Sequence, residues 1–215
     1  MSTINYPNGM KPYPKEKNLD NHSKRGADLE KEINLSNAYY RDLDIALIYK
    51  KPTPVQVVRV DYESRNKAKI TEAYYRTPST TDYNGIYRGK YIDFEAKDTK
   101  NKTNFPLQMV HDHQIKHLEK VEQHGGIGFF IIRFSYHGQT FLVDAPTLIQ
   151  KIKSTNKYAI PYEWFLEHGN LIQEGLYPRL QYLKVVDAIY FKEDSWCRNQ
   201  QTQPLRSNLK RNAES

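Results

Sequence analysis

The chain has a single cysteine, Cys197, among 215 residues, so neither a disulfide framework nor a thiolate zinc site can be built from it. No stretch approaches the roughly 18 consecutive apolar residues of a membrane span. The amino terminus, MSTINYPNGMKPYPKEKN, also lacks the apolar segment of a secretory signal, and a cytoplasmic protein is expected. Neither a G-x-G-x-x-G nor a P-loop pattern occurs, which argues against a doubly wound nucleotide-binding sheet. Acidic residues are the minority charge: 25 Asp and Glu stand against 32 Lys and Arg, for a net charge of +7. That balance favours a polyanionic partner, with nucleic acid the first expectation.

What is present reads as one domain with two polar ends. Residues 1–22 carry prolines, asparagines and lysines without hydrophobic period and read as a flexible arm; residues 192–215 read as a second, carboxy-terminal one. Between them, 23–191 is the expected folded domain. Leu29, Ile33, Ser36 and Tyr40 recur at helical spacing after Gly26, with Glu30 beside the stripe. The segment 44–50, DIALIYK, is expected to be a buried strand. Two runs rich in β-branched and aromatic residues follow, joined by a basic tip with Arg65, Lys67 and Lys69, a hairpin over about 55–77. Asn84-Gly85 suggests the turn of the next hairpin. Pro106 suits the first turn of a helix reaching Gly125-Gly126. IGFFIIRF, at 127–134, is apolar enough for a central strand covered on both faces. Pro146 opens a further helix, and Leu180, Leu183, Val186 and Ile189 mark the last. The expected fold class is α/β, a mixed sheet flanked by helices.

Chemistry concentrates in TDYNGIYRGKYIDFEAKDTK, residues 81–100. Along YIDFEAK a period of two sends Tyr91, Asp93, Glu95 and Lys97 to one face and Ile92, Phe94 and Ala96 to the other. If the hairpin closes, Asp82 returns alongside this strand, within reach of its carboxylates. Two adjacent carboxylates repel, and a divalent cation is the usual way to keep both ionised. Mg²⁺, which accepts one or two carboxylates and keeps several waters, suits so sparse a set. Such an ion can activate water against a phosphodiester while Lys97 stabilises charge on the phosphoryl group. The spacing D-x12-E-x-K has the form of the PD-(D/E)xK nuclease pattern, without a proline directly before Asp82. An E-x-K on a wet strand face is also an ordinary salt-bridged surface.

In the next predicted helix, Leu107, Val110, Gln114, Leu118 and Val121 form an apolar stripe broken once, by Gln114. Its amide must be satisfied, either by backbone or by a metal site. His113 and His117 stand one turn apart, but no third zinc ligand is placed by spacing. His111 is expected at the surface.

Together, NYPNGMKPY, KKPTPVQVV, EAYYRTPSTTDYNGIYRGKYIDFEAK, TKNKTNFPL, HDHQ and PRLQYLKVVD resemble the RecU family of Holliday junction resolvases of Gram-positive bacteria. The resemblance implies a restriction-endonuclease-like fold in a homodimer, with the basic-tipped hairpin as a protruding stalk. It places Mg²⁺ ligands on Thr80, Asp82, Glu95 and Gln114, with Mn²⁺ as a substitute, and a transition-state-stabilising lysine on Lys97. Glu30, within RGADLEKEI, would approach the site from the first helix. Arg25 would contact the arms of a four-way DNA junction, and Arg65, Lys67 and Lys69 its centre. The RecA recombinase and the branch-migration motor are the implied partners. The expected activity is Mg²⁺-dependent paired nicking of junctions in recombination and repair. The alternatives are a restriction-type nuclease for another DNA and a non-catalytic protein that anneals or bridges DNA.

Overall fold

The computed structural model describes residues 25–76 and 80–191. Helix α1 (Arg25–Asp42) leads to β1 (Leu47–Lys50), a hairpin of β2 (Val55–Asp61) and β3 (Lys69–Tyr75), and a second hairpin of β4 (Tyr83–Tyr87) and β5 (Lys90–Thr99). Then come the short strand β6 (Asn104–Pro106), helix α2 (Asp112–Gln123), β7 (Ile127–Phe134) and β8 (Gln139–Asp144). Helix α3 (Ala145–Ser154), β9 (Ala159–Pro161), α4 (Tyr162–His168), β10 (Asn170–Leu171) and α5 (Tyr182–Tyr190) close the fold. The arms at 1–22 and 192–215 lie outside the described residues, as does the side chain of Arg25.

Six strands form one mixed sheet in the order β1-β4-β5-β7-β8-β10. Only β5 and β7 run parallel. All eight residues of β7 are buried, as its apolar sequence requires of a central strand. Alternation then sorts them: Ile127, Phe129 and Ile131 join a core with α1 and α5, while Phe130, Ile132 and Phe134 join one with α2, α3 and α4. The sheet thus has helices on both faces, the α/β arrangement expected. The predicted stripe of α1 is the buried one, Ser36 included. Ser36 stays satisfied inside because its hydroxyl donates to Glu32 O at 2.8 Å and accepts from Leu180 N at 2.8 Å.

Four local expectations fail, most of them for a tertiary reason. Asn84-Gly85 is not a turn: both residues lie inside β4, and the two-residue turn is Arg88-Gly89, with φ of 49° and 76°. Gly85 is needed instead because β1 crosses it closely; a Cβ there would sit 2.0 Å from Leu47 O. Strand β1 is not buried but an edge, with Ile48 alone inside and Leu47 and Tyr49 more than half exposed. Pro106 does not open the long helix. It ends β6, which pairs with β9, and a 3₁₀ turn at Leu107–Met109 precedes α2. In the last helix Leu180 precedes the first turn, although it is buried with Leu183 and Val186.

Among the described residues, strands β2 and β3 pair only with each other. Thirteen of their fourteen residues are exposed, so the hairpin stands away from the core. Among the described residues no helix is long and apolar enough to cross a membrane.

Candidate active site

The β4–β5 register decides which carboxylates meet. Tyr83 opposes Phe94 and Gly85 opposes Ile92, which puts Asp82, one residue before the strand, across from Glu95. Asp82 N–H donates to Glu95 Oε2 at 3.1 Å, and Ala96 N–H donates to Asp82 Oδ2 at 3.4 Å. Alternation along β5 sends Phe94 into the core below and Glu95 toward α2. From the same face of the strand, Lys97 Nζ reaches Glu95 Oε1 at 2.7 Å.

Gln114 completes the group. It is buried on the inner face of α2, and its Nε2 donates to Glu95 Oε1 at 2.6 Å. Its Oε1 accepts from His111 N–H at 3.0 Å, closing a capping box at the start of the helix. The break in the apolar stripe is therefore satisfied through its oxygen by the backbone, while its nitrogen, and not the oxygen expected at a metal, faces the acidic pair.

Glu95 is 1% exposed. Burial first, and then repulsion from Asp82, push its carboxyl up to about 8, with Lys97 pulling the other way. A neutral or half-charged Glu95 is the expected state of two close acids in a dry site without a cation. Among the described residues no three His, Cys, Asp or Glu side chains form a metal cage. Two carboxylates with an amide beside them are instead a sparse set of the kind that suits a hard divalent cation, once the amide presents its oxygen. The crowding of negative charge at Glu95 is what such an ion would relieve.

Other residues singled out in the sequence fall elsewhere. The Thr80 hydroxyl donates to Thr81 O at 3.5 Å, next to Asp82 in the chain. Glu30 sits on α1 with its carboxylate paired to Lys50; only its backbone carbonyl, accepting from Tyr83 OH at 3.4 Å, leads toward the site. Arg65 and Lys67 are exposed at the tip of the β2–β3 hairpin, Lys67 with Glu63 at 4.0 Å, and Lys69 opens β3 opposite Asp61. His117 bonds Asp93 at 2.9 Å, and His111 is exposed.

Sequence reasoning passed over a second polar group under α2. Asp93 is fully buried and bonded to Lys51, Thr81, Tyr91 and His117. The signal was present: the same period of two that aims Glu95 at α2 aims Asp93 there as well.

The model of the recombination protein U family matches residues 24–188. A Holliday junction resolvase RecU of Geobacillus kaustophilus is 51% identical over 196 residues, which cover 87% of this chain and 98% of that one. Another, from Bacillus thuringiensis, is 46% identical over 198 residues, 88% of this chain and 99% of the relative. Among solved structures, the Holliday junction resolvase Hjc of Archaeoglobus fulgidus aligns with a TM-score of 0.39 and 10% identity, over 67% of this chain and 94% of that chain. With three quarters of its length matched by one family model and about half of its residues shared with full-length relatives, the chain belongs to the recombination protein U family.

Proposed function

We propose that the protein is a metal-dependent endonuclease that resolves four-way DNA junctions. The observation that carries this reading is the convergence on Glu95 of Asp82 from the start of β4, Lys97 from β5 and Gln114 from α2. Family membership supports the substrate class, and the arrangement of the site supports the chemistry.

Asp82 and Glu95 would hold a Mg²⁺ ion, with Gln114 and Thr80 supplying further oxygens. Bound there, the ion would polarise the scissile phosphate and lower the pKa of a water. For its oxygen to face the acids, the Gln114 amide turns over and releases His111 N–H. Lys97, 2.7 Å from Glu95, would stabilise charge building on the oxygens of a phosphate held at that ion. The helix above and the sheet below keep Glu95 dry, which strengthens each of these interactions.

Paired cuts across a junction with an approximate two-fold axis need two sites related by a matching axis, hence a two-fold homodimer. The β2–β3 hairpin supports this, because an isolated two-stranded hairpin has little stability of its own. Val57, Val60 and Ile70 stand exposed on it, apolar surface that a second copy would cover. Arg65 and Lys67 at its tip, with Lys69, would meet phosphates at the junction centre, and Arg25 the arms. A protein acting on recombining DNA works in the cytoplasm, with the recombinase RecA and a branch-migration motor as its natural associates.

The test is cleavage of a mobile four-way junction beside its linear arms, in Mg²⁺, Mn²⁺ or EDTA. Symmetric nicks in two strands of like polarity, only on the junction and only with metal, are expected. Equal cutting of linear duplex would replace this reading with a restriction-type nuclease. Annealing without any nicking in Mg²⁺ would replace it with a DNA-bridging protein.

A further inference from the structure

Asp93 lies two residues before Glu95 on β5, on the same face, and is 0% exposed. An ionised carboxylate taken out of water costs several kcal/mol unless donors replace the lost hydration. Four do so: Lys51 Nζ at 2.8 Å, Tyr91 OH at 2.7 Å, His117 Nε2 at 2.9 Å and the Thr81 hydroxyl, which makes a short bond to Oδ1. A buried ion pair is weak evidence for stability, since apolar residues of similar volume often do as well. What a carboxylate with four directed donors adds is geometry.

Three of the four donors, Thr81, Lys51 and His117, lead back to the acidic pair. Thr81 is bonded to Asp82, and Lys51 Nζ donates to the Thr81 hydroxyl at 3.0 Å. The Lys51 backbone N–H also donates to Asp82 O at 2.7 Å, so Asp82 is fixed through the groups on either side of it. His117 is three residues beyond Gln114, one turn along the same side of α2. Tying His117 to Asp93 sets the rotation of the helix that brings the Gln114 amide to 2.6 Å from Glu95. Hydrophobic burial of Leu118 and Val121 can seat the helix on the sheet, but it is non-directional and does not fix that rotation.

We infer that Asp93 is a positioning residue: through Thr81, Lys51 and His117 it holds Asp82 and Gln114 at the spacing from Glu95 that a divalent cation requires. The inference rests on the proposed nuclease reading. Asp93 touches no substrate and takes part in no bond change.

The test compares wild type with Thr81→Val, which keeps shape and loses the hydroxyl, Thr81→Ser, which keeps the hydroxyl, and Asp93→Asn. Mn²⁺ affinity is measured by calorimetry without DNA, turnover at saturating Mn²⁺, and junction affinity in EDTA. Loss of an outer partner of this kind typically costs about 10- to 100-fold in metal affinity or activity. Thr81→Val and Asp93→Asn are expected to lose at least about tenfold in both, with junction affinity in EDTA unchanged and Thr81→Ser close to wild type. If Asp93→Asn does not fold, the Thr81 pair decides alone. Thr81→Val equal to wild type in Mn²⁺ affinity and turnover, or Thr81→Ser as impaired as Thr81→Val, would overturn the inference while leaving the nuclease reading intact. A wild-type chain that nicks junctions equally well in EDTA would overturn the nuclease reading, and the positioning role with it.

Discussion

The chain builds two antiparallel hairpins one after the other and uses them in opposite ways. The first, β2–β3, has strands of seven residues each and buries almost nothing. The second, β4–β5, turns at Arg88-Gly89 and drives Tyr83, Tyr87, Ile92 and Phe94 into the core. Tyr83 and Phe94 stack across it with centroids 4.8 Å apart. Reach is the property of the first hairpin: its charges are hydrated, their energies are screened by salt, and they can steer a polyanion without distorting it. Position is the property of the second: its carboxylates are desolvated, so each shift of a few tenths of an ångström matters electrostatically. A catalytic group on the exposed hairpin would be too soft, and a steering charge on the buried one would be out of reach of DNA.

The contrast can be broken most severely at Glu95. Glu95→Gln or Asp82→Asn is expected to lower metal-dependent nicking by about 10³-fold, the scale of losing a principal electrostatic element, while junction binding in EDTA survives or improves. Gel assays of nicking and retention on the same preparations check it; turnover near wild type in either variant would remove the acidic pair from the reaction.

A second break tests whether the buried hairpin depends on β1. Gly85→Val would place Cβ 2.6 Å from Ile48 Cα and closer still to Leu47 O, so a loss of about 3 kcal/mol is expected by urea unfolding. A change such as Ile70→Thr in the exposed hairpin should stay within about 0.5 kcal/mol for the monomer.

The pH dependence sharpens the same comparison. The Glu95 carboxyl is raised from an ordinary 4.5 to about 8, so the metal-free native state keeps a proton that the unfolded chain releases. Stability from this group is complete below about pH 4.5 and is lost as pH rises toward 8, by on the order of a few kcal/mol. Calorimetry in EDTA should show the melting temperature falling across that window in wild type, with the fall reduced in Glu95→Gln and by added Mg²⁺. An identical fall in the variant would assign it to other groups.

The smallest effect belongs to the exposed tip. Neutralising Arg65 and Lys67 together should flatten the slope of log affinity against log salt by about 1.8 if both meet phosphates, and leave the chemical step untouched on bound junction. An unchanged slope would take the tip out of the DNA surface.

Much of the site was legible before any coordinates, because alternation along a strand is a local rule. Once YIDFEAK was read as β5, Glu95 and Lys97 had to share a face. The polar break in the α2 stripe marked Gln114 in the same way. The turn was not legible: Asn-Gly is the commoner hairpin signal, and what overrode it was the close passage of β1 over Gly85, a contact between residues 37 positions apart. The surroundings of Glu30 were not legible for a similar reason, since a stripe tells which residues flank it but not that Lys50 pairs with it from the neighbouring strand.

By itself, then, the sequence determined the faces and the donor types: two acids, an amide and an amine, on a central β scaffold in a basic chain. Only the tertiary structure decided that Asp82 lies across from Glu95, that the Gln114 amide is shared between a helix cap and the acids, and that Asp93 gathers four donors beneath them. The reason is that side-chain direction follows from local backbone periodicity, whereas desolvation and pairing depend on which distant segments close over a group.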